Sequence, residues 1–236
     1  MKFYSIQNSL DKKVLGYDPQ VTDIKYHCNL QDSKFIGNFH YEKLNFNPIV
    51  ANPILNSRAN LTDLIQIKHP GFSFVKLISS RLKEILQKEI TDGVQFFQCS
   101  VFKDGIEYSN YWIMNFFQFK NDFIDWGNSL ITVGIKKDGG GTNNDIINVN
   151  TLESFNDKLD YHSKKLEVIK IHKIVLHDNI TTNFFTLKNS VKNVVSDKLK
   201  KDIEYAGCTG IEFQPTELSI YEWLQGGERE KIYGKI

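Results

Sequence analysis

The chain has 236 residues with 29 basic and 28 acidic side chains, so its net charge is only +1. At that size roughly 70% of the unfolded surface can be buried, enough for a core without disulfides or metal. Charges of both signs are spread evenly, which leaves no basic stripe for a nucleic-acid backbone, and no apolar run approaches a membrane span. Cys28, Cys99 and Cys208 are odd in number and far apart, as expected of buried thiols in a reducing compartment. The opening Met1–Lys13 has no apolar core of a secretion signal, so a soluble, cytoplasmic protein is expected.

In chain order, Lys2–Ile6 reads as a short strand. A weakly patterned stretch follows to about Asn60, with Asx-Pro turn signals at Asp18-Pro19, Asn47-Pro48 and Asn52-Pro53. Its Phe35, Ile36, Phe39, Tyr41, Leu44 and Phe46 are too many hydrophobics for disorder. Residues 1–70 are therefore expected to be irregular but ordered, with short strands, wrapping an α+β body formed by 71–236. Leu61–Lys68 fits a strand or a short helix equally.

Phe72–Ile78 leads into a helix from Ser80 to about Thr91, with Leu82, Ile85, Leu86 and Ile90 inward. Val94–Phe102 is a strand, and Asp104-Gly105 between two β-like runs signals a tight hairpin. The return strand, Glu107–Phe119, has a continuous apolar centre at Tyr111–Phe117 that predicts burial on both faces. Asn121–Ser129 is a turn with Phe123, Ile124 and Trp126 beneath it. Leu130–Lys136 is a strand, and Asp138–Asp145, with three glycines and two asparagines, reads as a flexible tip. A helix over Thr151–Lys165 and strands over Leu166–Leu176 and Asn183–Leu187 complete this part. Glu217–Leu224 is a further helix, anchored by Leu218, Tyr221 and Trp223, and the last dozen polar residues are expected to fray.

The stretch Val194–Phe213 organises the rest. Val194 and Val195 end a strand, Ser196 caps a helix, and Asp197 sits against the positive end of its dipole. Val195, Leu199, Ile203 and Ala206 share one face, and Gly207 and Gly210 bracket the exit into a strand carrying Ile211 and Phe213. The same unit occurs 117 residues earlier without a gap. Ile78, Ser79, Arg81, Leu82, Lys83, Leu86, Gly93, Val94, Gln95 and Phe96 align with Val195, Ser196, Lys198, Leu199, Lys200, Ile203, Gly210, Ile211, Glu212 and Phe213. Any capped amphipathic helix entering a strand shares part of this pattern; a duplicated building block shares all of it. The fold class is α+β, mainly antiparallel sheet, with two similar strand-helix-strand units around 78–97 and 195–213 and few helices.

No motif passes as catalytic. Gly139–Gly141 lacks the Gly-Lys-Ser/Thr ending and helix start of a phosphate loop, and Asp138 and Asp145 lack the closing glutamate of a calcium loop. His172 and His177, the latter beside Asp178, lie five apart on an extended segment and face opposite sides. His27-Cys28 are neighbours whose side chains diverge. Cys208 has no histidine near it in sequence and reads as a small buried residue at a helix-to-strand turn. Ser73 and Lys76 have Ser-x-x-Lys spacing without its companion motifs. The aromatic block Tyr108–Phe119 reads as core, not as a base- or sugar-stacking platform.

The order of these elements resembles immunity protein family eleven, formerly a domain of unknown function, of bacterial polymorphic toxin systems. The resemblance lies in Ile78–Lys83 through Gly93–Phe97, in Tyr111–Phe117 followed by Ile124-Asp125, and in Val195–Lys200 through Thr209–Phe213. The opening Phe3-Tyr4 also matches. Phe185-Thr186 departs from it, since an arginine is expected after the aromatic residue; any role of that arginine is not carried here. The resemblance implies a non-enzymatic, cofactor-free cytoplasmic protein that binds a cognate toxin domain and occludes it. Two other readings of the residues stay open. One is a small hydrolase or transferase built on Cys208, His172, His177 and Asp178, and the other is a self-associating adaptor. Contact with the toxin is expected at the polar tip, through Asp138, Asn143, Asn144 and Asp145; no metal, nucleic acid or membrane is called for.

Overall fold

The computed structural model describes residues 1–136, 141–188 and 192–235. The chain opens with strand β1 (Phe3–Asn8), one turn of helix α1 (Lys12–Leu15) and strand β2 (Val21–Lys25). An irregular stretch leads to β3 (Asn52–Leu55) and the two-residue β4 (Leu64–Ile65). The first repeat follows as β5 (Val75–Ser79), α2 (Ser80–Gln87) and β6 (Val94–Lys103), with β7 (Ile106–Phe116) returning beside it. Next come β8 (Leu130–Lys136), β9 (Thr142–Ile146), α3 (Leu152–Ser163) and β10 (Val168–Lys173). β11 (Phe184–Leu187) introduces the second repeat, β12 (Lys192–Ser196), α4 (Asp197–Tyr205) and β13 (Ile211–Pro215). Helices α5 (Ile220–Leu224) and α6 (Glu228–Tyr233) close the chain. No helix among the described residues is long and apolar enough to cross a membrane.

The strands form three sheets, ordered β2-β3-β6-β7-β5-β4, β11-β12-β1-β13 and β10-β8-β9. Among the named strands, all pair antiparallel except β3 with β6. The fold is thus α+β and mainly antiparallel, with the two expected strand-helix-strand units. Asp104 (φ 52°) and Gly105 (φ 78°) make the left-handed pair that a two-residue hairpin turn requires, and Lys103 faces Ile106 across it.

The two units are alike far beyond the aligned residues. Ser79 and Ser196 each cap their helix by accepting a hydrogen bond from the third residue on, Leu82 and Leu199. Gly93 (φ 84°) and Gly210 (φ 80°) make the same left-handed step into β6 and β13. The path β4-β5-β7-β6 matches β11-β12-β1-β13, so β1, from the chain's start, takes the place that β7 takes by hairpin. The register matches too. Ile78 faces Trp112 as Val195 faces Tyr4, and Phe96 faces Met114 as Phe213 faces Ile6.

These equivalent residues meet in one core. Leu64, Ile78, Leu82, Leu86 and Met114 from one unit pack with Phe184, Val195, Leu199, Ile203 and Ile6 from the other. A helix of eight or nine residues is marginal alone, so α2 and α4 exist because this shared core buries their apolar faces. Full burial is worth about 1.5–3 kcal/mol per large aliphatic side chain. A second core lies over the first unit, joining Leu77, Val101 and Ile113 to Val21, Phe35, Ile36, Leu44 and Leu55 of the N-terminal stretch. A third joins Phe3, Phe185 and Val194 to Ile124, Trp126, Ile131 and Phe155.

Of the two readings left open for Leu61–Lys68, the strand is the one found, because Leu64–Ile65 pairs with β5. Several other local expectations are corrected. The predicted flexible tip is in part strand β9, whose Thr142–Ile146 ladder onto β8; Asp138 lies outside the described residues. Cys208 is half-buried, and Tyr221 points to solvent, leaving Trp223 as the anchor of α5. The last dozen residues include helix α6, held by a buried arginine.

Candidate functional site

The residues with catalytic potential do not come together. His172 Nε2 lies 2.8 Å from the Thr132 hydroxyl, across the β10–β8 pair, and burial pushes its imidazole below its ordinary range, helped by Lys170. His177 lies at the end of the following segment, where its backbone N–H donates to Phe123. Cys208 instead packs in the core between the two units, where burial, aided by Asp63, pushes its thiol up to about 11. A thiol so placed is protonated at neutral pH and is a poor nucleophile. The His27 ring is hydrogen-bonded to Asn52, and burial raises the Cys28 thiol. No hydrogen bond joins Ser73 to Lys76, and no group of three or more His, Cys, Asp or Glu side chains among the described residues could hold a metal ion.

The structure does bring together three constellations that local pattern does not announce. The first centres on Asp63, which is buried between the two units. Its carboxylate accepts from Ser79 Oγ (2.5 Å), Arg81 Nε (3.0 Å) and Nη2 (2.5 Å), and the Thr209 amide (2.7 Å). It therefore ties the cap of α2 to the turn that leaves α4. Burial alone would raise this carboxyl's pKa, but the bonds from Arg81, Ser79 and Thr209 outweigh it and hold the group below its ordinary range. In the second unit Asn183 occupies the equivalent place, accepting from Ser196 Oγ at 2.6 Å and donating to Glu89, which also binds Lys198.

The second constellation is the ion pair of Glu212 and Arg229, 1% and 2% exposed. Arg229 donates from Nε (2.7 Å) and Nη2 (2.6 Å), and Glu212 also accepts from Ser9 Oγ and the Leu10 amide. Nearby, the Tyr233 hydroxyl accepts from the Phe213 amide at 2.8 Å. β13 is an edge strand, so α6 covers part of the edge that would otherwise be open to pairing.

The third is a pair of lysine–aromatic clamps at equivalent positions. Lys83 Nζ lies 4.1 Å from the Trp112 ring centre and 5.4 Å from that of Phe96. Lys200 Nζ lies 5.3 Å from Tyr4 and 5.6 Å from Phe213. Both aromatic pairs are diagonal cross-strand neighbours, two residues out of register, beneath the helix that carries the lysine. Of the expected contact residues, Asn143, Asn144 and Asp145 are all exposed on β9, at the edge of the three-stranded sheet. Asp63 gave no sequence signal because Leu61–Lys68 mixes polar and apolar residues without a deciding period, and Arg229 because its neighbours Glu228, Glu230 and Lys231 mark a solvated face.

The chain also matches a known family. A family model described as "Immunity protein family (Imm11)" matches residues 2–217. The chain belongs to the Imm11 immunity protein family. Membership suggests an immunity function, implies a toxin as binding partner and suggests a non-enzymatic role. The match includes both copies of the repeat and ends before α5 and α6. No curated protein matches the chain significantly.

Proposed function

We propose that this Imm11 protein neutralises one cognate toxin domain by stoichiometric binding and steric occlusion, in the cytoplasm of the bacterium that produces the toxin. The family match over 2–217 carries this reading. The placement of the reactive side chains supports it: His172 is engaged by Thr132 on the three-stranded sheet, Cys208 packs half-buried against the core between the two units, and Asp63 is saturated by structural bonds. In this reading the exposed strand β9, with Asn143, Asn144 and Asp145, contributes to the contact, together with Asp138 before it. An edge strand offers unpaired backbone groups to a partner in extended conformation.

The test is a titration of the toxin domain encoded beside this chain's gene. Toxin activity should fall linearly with added protein and reach its floor at one equivalent. Unchanged activity at a large excess would remove the proposal. Loss of activity at a small fraction of an equivalent, progressing with time, would replace occlusion by an enzymatic mechanism.

A further inference from the structure

The duplication provides an internal control for the two lysine–aromatic clamps. In the second unit Lys200 is neutralised within its own helix, its Nζ lying 2.9 Å from Glu204 one turn on. In the first unit the residue one turn after Lys83 is Gln87. Among the described residues Lys83 has no carboxylate within ion-pair distance, and the adjacent Glu84 projects from a different side of α2. The same scaffold therefore holds a quenched cation in one copy and an open one in the other.

The open copy also borders a cavity. Phe96 and Trp112, the rings beneath Lys83, line a groove of about 530 Å³ with Asn47 and Ser100. Among the described residues, neither the Asn47 amide nor the Ser100 hydroxyl is used in a side-chain hydrogen bond. Trp112 is held in place by its indole N–H, which donates to Ser80 Oγ at 2.9 Å. The groove thus has a fixed aromatic wall and unspent polar groups, and the Lys83 ammonium, itself outside the lining, is seated on the same two rings. This is the composition of a contact hot spot that takes one anionic side chain. A single lysine on a chain of balanced charge is too little for a nucleic-acid backbone, so the partner chemistry is a protein carboxylate.

We infer that Lys83, seated on Phe96 and Trp112, is an anchor for an aspartate or glutamate on the toxin, which enters the adjoining groove. This rests on the toxin-binding reading and adds a contact point to it. The ammonium supplies the charge, and the rings limit its motion so that little side-chain entropy is lost on binding.

The experiment measures binding of the same neighbouring-gene toxin domain by calorimetry at two salt concentrations. The proteins compared are the wild type, Lys83→Gln, Lys83→Glu and Lys200→Gln. Lys83→Gln should weaken binding at least about tenfold and flatten its salt dependence. Lys83→Glu should weaken it further, and Lys200→Gln should leave it within about twofold. Wild-type affinity and salt dependence in both Lys83→Gln and Lys83→Glu would overturn the inference. Absence of binding by the wild type would instead overturn the toxin-binding reading beneath it. Circular dichroism of each variant separates lost contact from lost fold, and Lys83→Arg, which keeps charge and ring contact, should retain most of the affinity.

Discussion

Replacing Arg229 by methionine tests whether the C-terminal helices are structural or dispensable. The guanidinium is buried and gives Glu212 two bonds shorter than 2.8 Å, while Nη1 caps the Gly234 carbonyl at 2.8 Å. Methionine fills similar space but leaves the Glu212 carboxylate, 1% exposed, with only Ser9 and Leu10 as donors. Removing one partner of a buried pair costs about 3–5 kcal/mol, because the other charge stays desolvated. In a chain of this length that is a fall in melting temperature on the order of 10 °C. Changing Glu212 to methionine instead should cost at least as much, since it strands both Arg229 and the Leu10 amide, an orphaned donor worth about 1–3 kcal/mol. With both replaced, neither charge of the pair remains buried and only the Ser9 and Leu10 donors are unsatisfied. The double variant should then be more stable than the sum of the single losses predicts, by about 2 kcal/mol or more. Urea unfolding followed by tryptophan fluorescence reads all four proteins, since Trp223 lies in the adjacent helix. A loss below about 1 kcal/mol for Arg229→Met, or strict additivity, would refute the claim that α6 is locked to β13 by this pair.

Asp63→Asn should cost about 2–3 kcal/mol at pH 7, with the Arg81 share kept small because that side chain is half-exposed. Because the folded-state pKa of Asp63 is depressed, its stabilisation is full above the unfolded value near pH 4 and disappears as pH falls through the folded value. The urea midpoints of wild type and variant should therefore converge as the pH falls below about 4; a gap that stays constant or widens in acid would contradict this assignment. Gly210→Ala should be much more damaging than Gly207→Ala, although both glycines have positive φ. A Cβ at Gly210 would sit 2.5 Å from the Leu64 carbonyl oxygen, whereas one at Gly207 meets nothing within 4 Å. The second should cost about 1–2 kcal/mol in thermal melts and the first roughly twice that; equal losses would argue against close packing of the two units at Leu64. With its thiol at about 11, Cys208 holds roughly one thiolate in a thousand at pH 8. Iodoacetamide should modify it on the order of a hundred times more slowly in the native protein than in urea, as read by peptide mass spectrometry. Comparable rates would reopen a nucleophilic role.

Local signals carried most of the secondary structure because they are written within a few residues. The capping serines, the helical spacing of Leu82/Leu86 and Leu199/Ile203, the exit glycines and the Asp104-Gly105 turn need no distant partner to be read. The repeat could be aligned for the same reason, and with it the α+β class and the family. Errors arose where a segment's state depends on something far away in the chain. Thr142–Ile146 has the composition of a flexible tip, yet it is a strand because β8 offers its edge. Residues 225–236 look like a polar tail, yet they include α6 because Glu212 needs a buried cation.

The candidate contact surface follows the same division. Sequence alone determined that the protein is built on two capped helix-to-strand units and lacks a recognisable catalytic motif. It could not show that β1 completes the second unit as β7 completes the first, because the equivalence lies in strand register rather than residue identity. Nor could it pair Asp63 with Thr209, 146 positions away, or set Lys83 over Trp112. Periodicity records which face a residue presents. Only chain closure decides what that face meets, and here it seats Lys83 on Phe96 and Trp112, whereas the glutamate that quenches Lys200 and the glutamine that leaves Lys83 open stand one helical turn away in the sequence.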